Sequence, residues 1–372
     1  IGIVSLPFIL FNQSVAALLL DTGARVLEVA HDIAKLLSTP EYSQLWVASP
    51  PLLLILIYSL LLFSVRSLTL SSLRSQLILI CSSLVTFQLL FPFDTPIRFR
   101  QQNERVTILD VGHGSANLIE LKEGRVVLID GGSRSAPGYD CGARIIAPYL
   151  WHNRISKVHD IVITHQDADH FNGIPTVIKR FRPERLWLPY LEQSKQGFTR
   201  LIGLAREYDL DIIVPAPGVI IEESGGQISV IGPPSSDISG TEDDRGLVLR
   251  LQFGEISVLF PGDISKKREI ELIRDGAHLA STILLSPHHG SATSSSLAML
   301  SAVSPELLVF SSGDSQIGRF PADETLANAE KLGIRTISTS EEGTIVIALD
   351  DDNSSYQLIT QQQYKRRYWQ RG

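Results

Sequence analysis

Ile161-Val162-Ile163-Thr164-His165-Gln166-Asp167-Ala168-Asp169-His170 is the stretch whose reading decides the fold. Ile161 to Ile163 is a short apolar run that reads as a buried strand, and Thr164 closes it. Four possible metal ligands, His165, Asp167, Asp169 and His170, then arrive within six residues. Nitrogen and carboxylate donors alternating in a turn at the carboxyl end of a strand are what a divalent cation requires. The ordinary alternative is a polar turn whose Asp caps a helix beginning near Phe171. A cap needs one Asp and no histidine, so the stretch points to a metal site.

Working outward, the same arrangement returns twice. Leu247 to Phe253 and Ile256 to Phe260 read as a hairpin around Gly254-Glu255, and its second strand ends in Pro261-Gly262-Asp263. Alone, Asp263 suits the N-cap of a helix over Ser265 to Asp275; in company, its carboxylate is placed to bridge two cations. The company is Ile283 to Gly290, an apolar run ending in Pro287-His288-His289-Gly290. Charged and imidazole groups at three strand ends cost desolvation unless something pairs with them. Upstream, Val106 to Asp110, Asn117 to Leu121 and Val126 to Asp130 read as strands, the last two joined at Lys122-Glu123-Gly124. Asp130-Gly131-Gly132 places Asp130 beneath the metal turn in a supporting role. For Asp110, also a supporting candidate, and for His113 between Gly112 and Gly114, turn chemistry is the better reading. Helices are expected over Gly142 to His152, Phe171 to Phe181 and Gly197 to Tyr208, with a strand from Arg185 to Leu188.

The front of the chain has a different composition. Ile1 to Leu20 is apolar for about the length that spans a bilayer, and residues 21 to 49 carry charges at helical spacing, as an interfacial amphipathic segment does. Pro50 to Val65 is free of charge, and Leu73 to Phe91 is a second apolar run, charged only at Arg74 near its start, so the two read as a membrane hairpin. Arg66 and Arg74 put its turn on the cytoplasmic side, whereas Arg98, Arg100 and Arg105 argue the reverse orientation. The chain opens in mid-hydrophobic sequence and its one methionine is Met299, so it reads as a piece of a longer protein. Its net charge of −7 excludes a global basic field for nucleic acid. The two cysteines, Cys81 and Cys141, imply neither a disulfide framework nor a Cys-based zinc site.

Thr164-His165-x-Asp167-x-Asp169-His170, Pro261-Gly262-Asp263 and Pro287-His288-His289-Gly290-Ser291 together resemble the metallo-β-lactamase superfamily, in the form carried by the ComEC family of DNA-internalisation competence proteins. Leu109-Asp110-Val111-Gly112-His113-Gly114 and Leu128-Ile129-Asp130-Gly131-Gly132 are similar to that family's D-V-G-Q-G-D and L-I-D-x-G signatures. The resemblance implies an α/β fold, an αββα sandwich preceded by transmembrane helices. Residues 1–92 would be the end of a membrane channel domain, 93–105 a linker, 106–350 the hydrolase-like domain, and 351–372 a final strand with a basic aromatic tail. It implies an inner-membrane, multi-pass location with the soluble domain outside the cytoplasm. The partners it implies are DNA, membrane lipid, other competence components and further copies of the chain.

The chain departs from the superfamily pattern in several places. Asp167 replaces the second histidine of H-x-H-x-D-H, no histidine lies between His170 and His278, and Ser115 stands for the Asp of D-V-G-Q-G-D. Exchanging imidazole for carboxylate makes a harder site, which favours Mn2+ or weakly held Zn2+. The expected assignment places His165, Asp167 and Asp263 on one cation, and Asp169, His170, Asp263 and His288 or His289 on the other. Asp169 and His289 are the candidates for direct roles in catalysis, Asp169 as a ligand or by orienting water, and whichever of His288 and His289 is unligated by donating to the leaving oxygen. Such ions acidify water and hold a phosphodiester oxygen as charge develops. Lys179, Arg180, Arg182 and Arg185 offer a basic cluster for phosphate, and Tyr364 to Trp369 interleaves cations with aromatics. Three functions compete: a metal-dependent nuclease domain on a DNA-uptake channel, a non-catalytic accessory with a depleted site, and a membrane-tethered hydrolase of another phosphoester.

Overall fold

A computed structural model describes residues 12–38, 56, 59, 73–90, 104–134, 138–192, 195–222, 226–232, 241–313, 320–350 and 352–362. The chain divides into two compact units, Ile1–Phe93 and Asp94–Gly372.

In the first unit, Asn12 accepts a hydrogen bond from the Val15 amide through its side chain and opens a 26-residue helix, Gln13–Ser38. The expected span ending at Leu20 does not stop there: the helix runs on through Asp21, whose carboxylate takes the Arg25 guanidinium at 3.0 Å one turn later. That pair replaces a boundary with continuous helix. Leu73–Leu90 forms an 18-residue helix, with Leu77, Leu79 and Ile80 exposed. Its 18 residues make about 27 Å of helix axis. No helix among the described residues is long and apolar enough to cross a membrane. The expected Pro50 to Val65 arm falls outside the described residues except for 56 and 59, and Arg98, Arg100 and the Tyr364 to Trp369 tail fall wholly outside them.

The second unit is built on two sheets. The strands are β1 Arg105–Ile108, β2 Asn117–Glu120, β3 Val126–Ile129, β4 Asp160–Val162, β5 Arg185–Trp187, β6 Asp211–Ile213, β7 Ile220–Glu222, β8 Gln227–Gly232, β9 Val248–Phe253, β10 Ile256–Phe260, β11 Ile283–Leu285, β12 Leu307–Phe310, β13 Arg335–Ser338, β14 Ile345–Leu349 and β15 Tyr356–Thr360. One sheet runs β15-β14-β1-β2-β3-β4-β5-β6, the other β13-β12-β11-β10-β9-β8-β7. Parallel pairing holds from β3 to β6 and from β10 to β13, with antiparallel ladders elsewhere.

The strands β3, β4, β10, β11 and β12 are buried along their whole length because both faces of the sheets are covered there. On β3, Val127 and Ile129 face the other sheet while Leu128 packs under helices. On β4 the sides reverse, with Val162 between the sheets and Ile161 beneath the helices. Across the sandwich, Ile283 and Leu285 of β11 face inward and Leu284 packs outward against Met299 and Leu300 of the helix Leu297–Val303. Each fully buried Leu or Ile contributes roughly 1.5–3 kcal/mol. The product is helix, sheet, sheet, helix.

Two expected helices differ in detail. Gly142–Ile146 is a π-turn leading into the helix Ala147–His152. The expected Phe171 to Phe181 helix is two pieces, Ala168–Phe171 and Ile174–Phe181. The break falls at Gly173, whose amide donates to Gly131 O at 2.8 Å, and a Cβ there would lie 2.4 Å from Gly142 N. Close backbone approach also governs Gly132, where a Cβ would stand 2.3 Å from Asp169 C and 2.4 Å from His170 N. Gly132→Ala should therefore push the 169–170 turn outward and destabilise the domain by about 1–3 kcal/mol. Urea unfolding measures this, and an unchanged midpoint would contradict the packing described.

Candidate metal centre

The carboxyl ends of β4, β10 and β11 meet at one rim. Leu247 N donates to Thr164 O at 2.8 Å and His288 N to Gly262 O at 3.2 Å, which ties the turn after β4 to both ends of the β9–β10 hairpin and to the loop after β11. Asp263 sits at the middle. Its carboxylate oxygens lie 3.8 Å from His165 Nε2, 3.4 Å from His170 Nε2, 4.0 Å from His288 Nε2 and 3.5 Å from His289 Nε2. Asp263 does not cap the helix Lys266–Arg274: Ser265 holds the N-cap position and its amide donates to Asp244 Oδ1.

The histidines are held from behind. His170 Nδ1 meets Asp130 Oδ2 at 2.8 Å, and Asp130 Oδ1 accepts from the Thr164 amide at 2.8 Å. His289 Nδ1 faces Ser311 O at 2.9 Å, an acceptor, so that nitrogen carries the proton. Both outer nitrogens are thereby turned toward each other, His170 Nε2 to His289 Nε2 at 3.4 Å. Two imidazole lone pairs at that distance require a proton or a cation between them. His288 and His289 both adopt left-handed backbone, φ 49° and 56°. Such residues cost of order 1–3 kcal/mol each and persist where the surroundings dictate them.

The donors fall into three groups: His165, His170 and Asp263; His113, Asp169 and His289; and His165, Asp167 and Asp243. Within each group the ligand atoms lie within 4.8 Å of one another. The set fits a divalent cation, because His165 Nε2 is buried with no hydrogen-bond partner among the described residues and Asp263 is a buried carboxylate faced by imidazoles. A polar cavity of about 20 Å³, room for one water, lies beside it, lined by Ser115, Asn117, Asp130, Ser286 and Ser311 among others.

Burial opposes charge on both members of the His170–Asp263 pair. For His170 the Asp263 and Asp130 carboxylates overcome it and raise the pKa well above 6.5; for Asp263 the surrounding histidines, His170 first, overcome it and hold the pKa well below 3.8. Burial, then the neighbouring His170, lowers His165 to about 4, and burial, then His289, lowers His113 to about 4. Burial, then Asp263 and Asp167, raises Asp243 to about 6.

The expected ligands are therefore brought together with two changes of role. Asp167 occupies the cap position of the short Ala168–Phe171 helix without making the cap bond. It pairs instead with Lys195, whose ammonium also meets Glu242 Oε2 at 2.5 Å. Burial pushes the Asp167 pKa up, but the Lys195 hydrogen bond together with the nearby His165, Lys195 and His170 charges outweighs it and lowers the pKa. His113, read from the sequence as turn chemistry, enters the site 3.9 Å from Asp169 Oδ2. Asp110 keeps the turn role, accepting from Gly112 N at 3.2 Å. Asp243 was missed altogether. The signal was the hairpin: Leu249 pairs with Phe260, so the acidic run before β9 returns beside Asp263 after β10.

The basic cluster lies elsewhere. Arg185 pairs with Asp160 at 2.5 and 2.9 Å at the amino ends of β4 and β5, opposite the rim that carries the histidines. Arg180 stacks on Trp151 and Arg182 on Tyr208, while Lys179 is exposed. The helix Ile174–Phe181 runs back from the metal turn, so its last turn carries these cations away from the site.

The sandwich and its His/Asp rim define a metal-dependent hydrolase fold. The model of the metallo-beta-lactamase superfamily matches residues 109–313, more than half of the chain, and the chain belongs to that superfamily. Its curated relatives include competence proteins. ComE operon protein 3 of Bacillus subtilis is 24% identical over 251 residues, 64% of this chain and 32% of that protein. Competence protein ComA of Neisseria gonorrhoeae is 25% identical over 337 residues, 90% of this chain and 43% of that protein. Recombination protein 2 of Haemophilus influenzae is 26% identical over 266 residues, 71% of this chain and 31% of that protein. The match is to the C-terminal part of the ComEC type, and the chain spans less than half the length of each of these relatives.

Two outcomes follow from the geometry. Asp130→Ala strips the acceptor from the buried Thr164 amide and from His170 Nδ1, and metal affinity should fall about 10- to 100-fold; calorimetric titration with Mn2+ measures it, and unchanged affinity would refute the support role. Cation binding should also strengthen with rising pH. Asp243 holds its proton below about 6 and His170 holds one above 6.5. A cation must displace both, whereas His165 is already neutral above about 4. Affinity should be weak at pH 5, rise through pH 6 and continue rising past neutrality, with protons released into the buffer; a flat profile would exclude these ligands.

Proposed function

We propose that this chain is the hydrolase-bearing part of a DNA-uptake protein, and that its metal centre cleaves phosphodiesters, as a nuclease that degrades the strand not taken up. The observation that carries the reading is the convergence of buried imidazole and carboxylate donors from three strand ends on Asp263. A divalent ion, Mn2+ or Zn2+, would supply acidified water and Lewis-acid stabilisation of phosphoryl charge. His165, His170, Asp169, Asp263, His288, His289 and Asp243 are the residues to hold it. Asp130 fixes the His170 ring and the turn that bears three of these donors. Asp169, exposed only 7%, would orient water if it is not itself a ligand. The competence-protein relatives support the link to DNA uptake.

An inner-membrane location, with the hydrolase domain outside the cytoplasm, belongs to the same proposal. It is supported by the apolar composition of the front of the chain and by the exposed Leu77, Leu79 and Ile80 on the helix Leu73–Leu90.

One observation favours the non-catalytic reading. The Lys195 ammonium already neutralises Asp167, which removes a carboxylate from the His165, Asp167 and Asp243 group. The assay separates the two. With Mn2+ or Zn2+ present, the chain should cleave single- or double-stranded DNA, and Asp169→Ala should lower the rate at least about a hundredfold, the scale at which even outer partners of metal ligands act. No cleavage with either ion would leave the accessory role. Normal transformation after deletion of the gene would instead sink the DNA-uptake assignment.

A further inference from the structure

His113 was unclaimed by the metal reading of the sequence, and its surroundings show why it belongs to the site. The loop that carries it is fixed from both sides. Arg134 N donates to His113 O at 2.6 Å, Ser311 Oγ donates to Gly114 O at 2.8 Å, and Ser115 N donates to Asp169 O at 3.1 Å. Gly114, at φ 147°, is where the loop presses on the metal turn: a Cβ there would meet Asp169 O at 2.7 Å. A loop held this way has little freedom to swing its side chain elsewhere. The imidazole is half-buried, its ring 4.8 Å from the His289 ring and 5.1 Å from Phe320.

We propose that His113 is a ligand of the ion that Asp169 and His289 hold. The inference rests on the metal-centre reading above. Two donors about 2.1 Å from one ion stand at most about 4.2 Å apart, and His113 Nε2 lies 3.9 Å from Asp169 Oδ2. His289 presents Nε2 because its Nδ1 is committed to Ser311 O. Imidazole selects Zn2+ over Mn2+ more strongly than an oxygen donor does, so His113 offsets part of the hardness that Asp167 and Asp243 introduce.

The test uses the 372-residue chain, stripped of metal and reloaded. Pulsed electron paramagnetic resonance of the Mn2+ form counts coupled imidazole nitrogens, and competition titration gives Zn2+ affinity. His113→Gln should lose one coupled nitrogen and bind Zn2+ about tenfold or more weakly, the smallest effect expected when a partner of a metal site is removed, with a smaller loss for Mn2+. His113→Ala should behave alike and regain Zn2+ affinity when free imidazole is added, which also covers poor folding of the first variant. An unchanged nitrogen count overturns the proposal even if affinity drops, because His113 would then only orient Asp169. A wild-type chain that binds neither ion removes the metal-centre reading itself, and this proposal with it.

Discussion

A carboxylate with four histidine Nε2 atoms within 4.0 Å is the constraint on which the rest of the domain depends. Asp263 is buried, and an ionised carboxylate taken out of water costs several kcal/mol unless partners replace its hydration. The histidines come from two separate strand ends and Asp263 from a third, so the replacement exists only when both sheets are formed and in register. The polar rim is thus a reporter of the whole sandwich. Its partners in turn are tied down: Asp130 to Thr164 and His170, His289 to Ser311. Each of these bonds turns a ring so that Nε2 faces Asp263.

The sheets supply what the rim needs. Both are covered on two faces, so the strands are short, apolar and rigid, and their ends are where polar residues can gather without entering the core. β4 illustrates the division along three residues and their flanks. Asp160, at its amino end, is satisfied by Arg125, Arg185 and Trp187; Ile161 and Val162 go to opposite hydrophobic layers; the ligands follow Thr164. Glycines set the distance between loops at this rim. Gly114 and Gly132 let two loops approach Asp169 more closely than any side chain would permit.

Much of this was legible in the sequence, because strand ends followed by His and Asp are a local signal. The strands that lead to the rim, the 165–170 turn, Asp263 and the 288–289 pair follow from apolar runs and what interrupts them. What escaped is non-local. His113 looks like a turn residue until the 112–114 loop is seen docked on Asp169 and Ser311. Asp243 lies in an acidic run with no histidine, and only the pairing of Leu249 with Phe260 returns it to the site. Lys195 carries no signal at all, since its ion pair with Asp167 spans 28 residues and a change of element. The basic residues 179 to 185 misled for the converse reason. They are close in sequence to the metal turn, but a helix and the strand direction carry them to the opposite end of the sheet.

The balance of ligands follows from these corrections. On one side of Asp263, His165 shares its surroundings with Asp167 and Asp243, and the Lys195 ammonium competes there for negative charge. On the other side, Asp169 stands among His113 and His289, with no lysine or arginine paired to it among the described residues. A cation gains more where it meets neutral imidazoles and an unneutralised carboxylate than where it must displace an ammonium. The two sides are therefore unequal: a cation on the His165 side would have to compete with the Lys195 ammonium for Asp167. Asp263, 3.8 Å from His165 Nε2 and 3.5 Å from His289 Nε2, is placed within reach of both sides and would be the carboxylate they share.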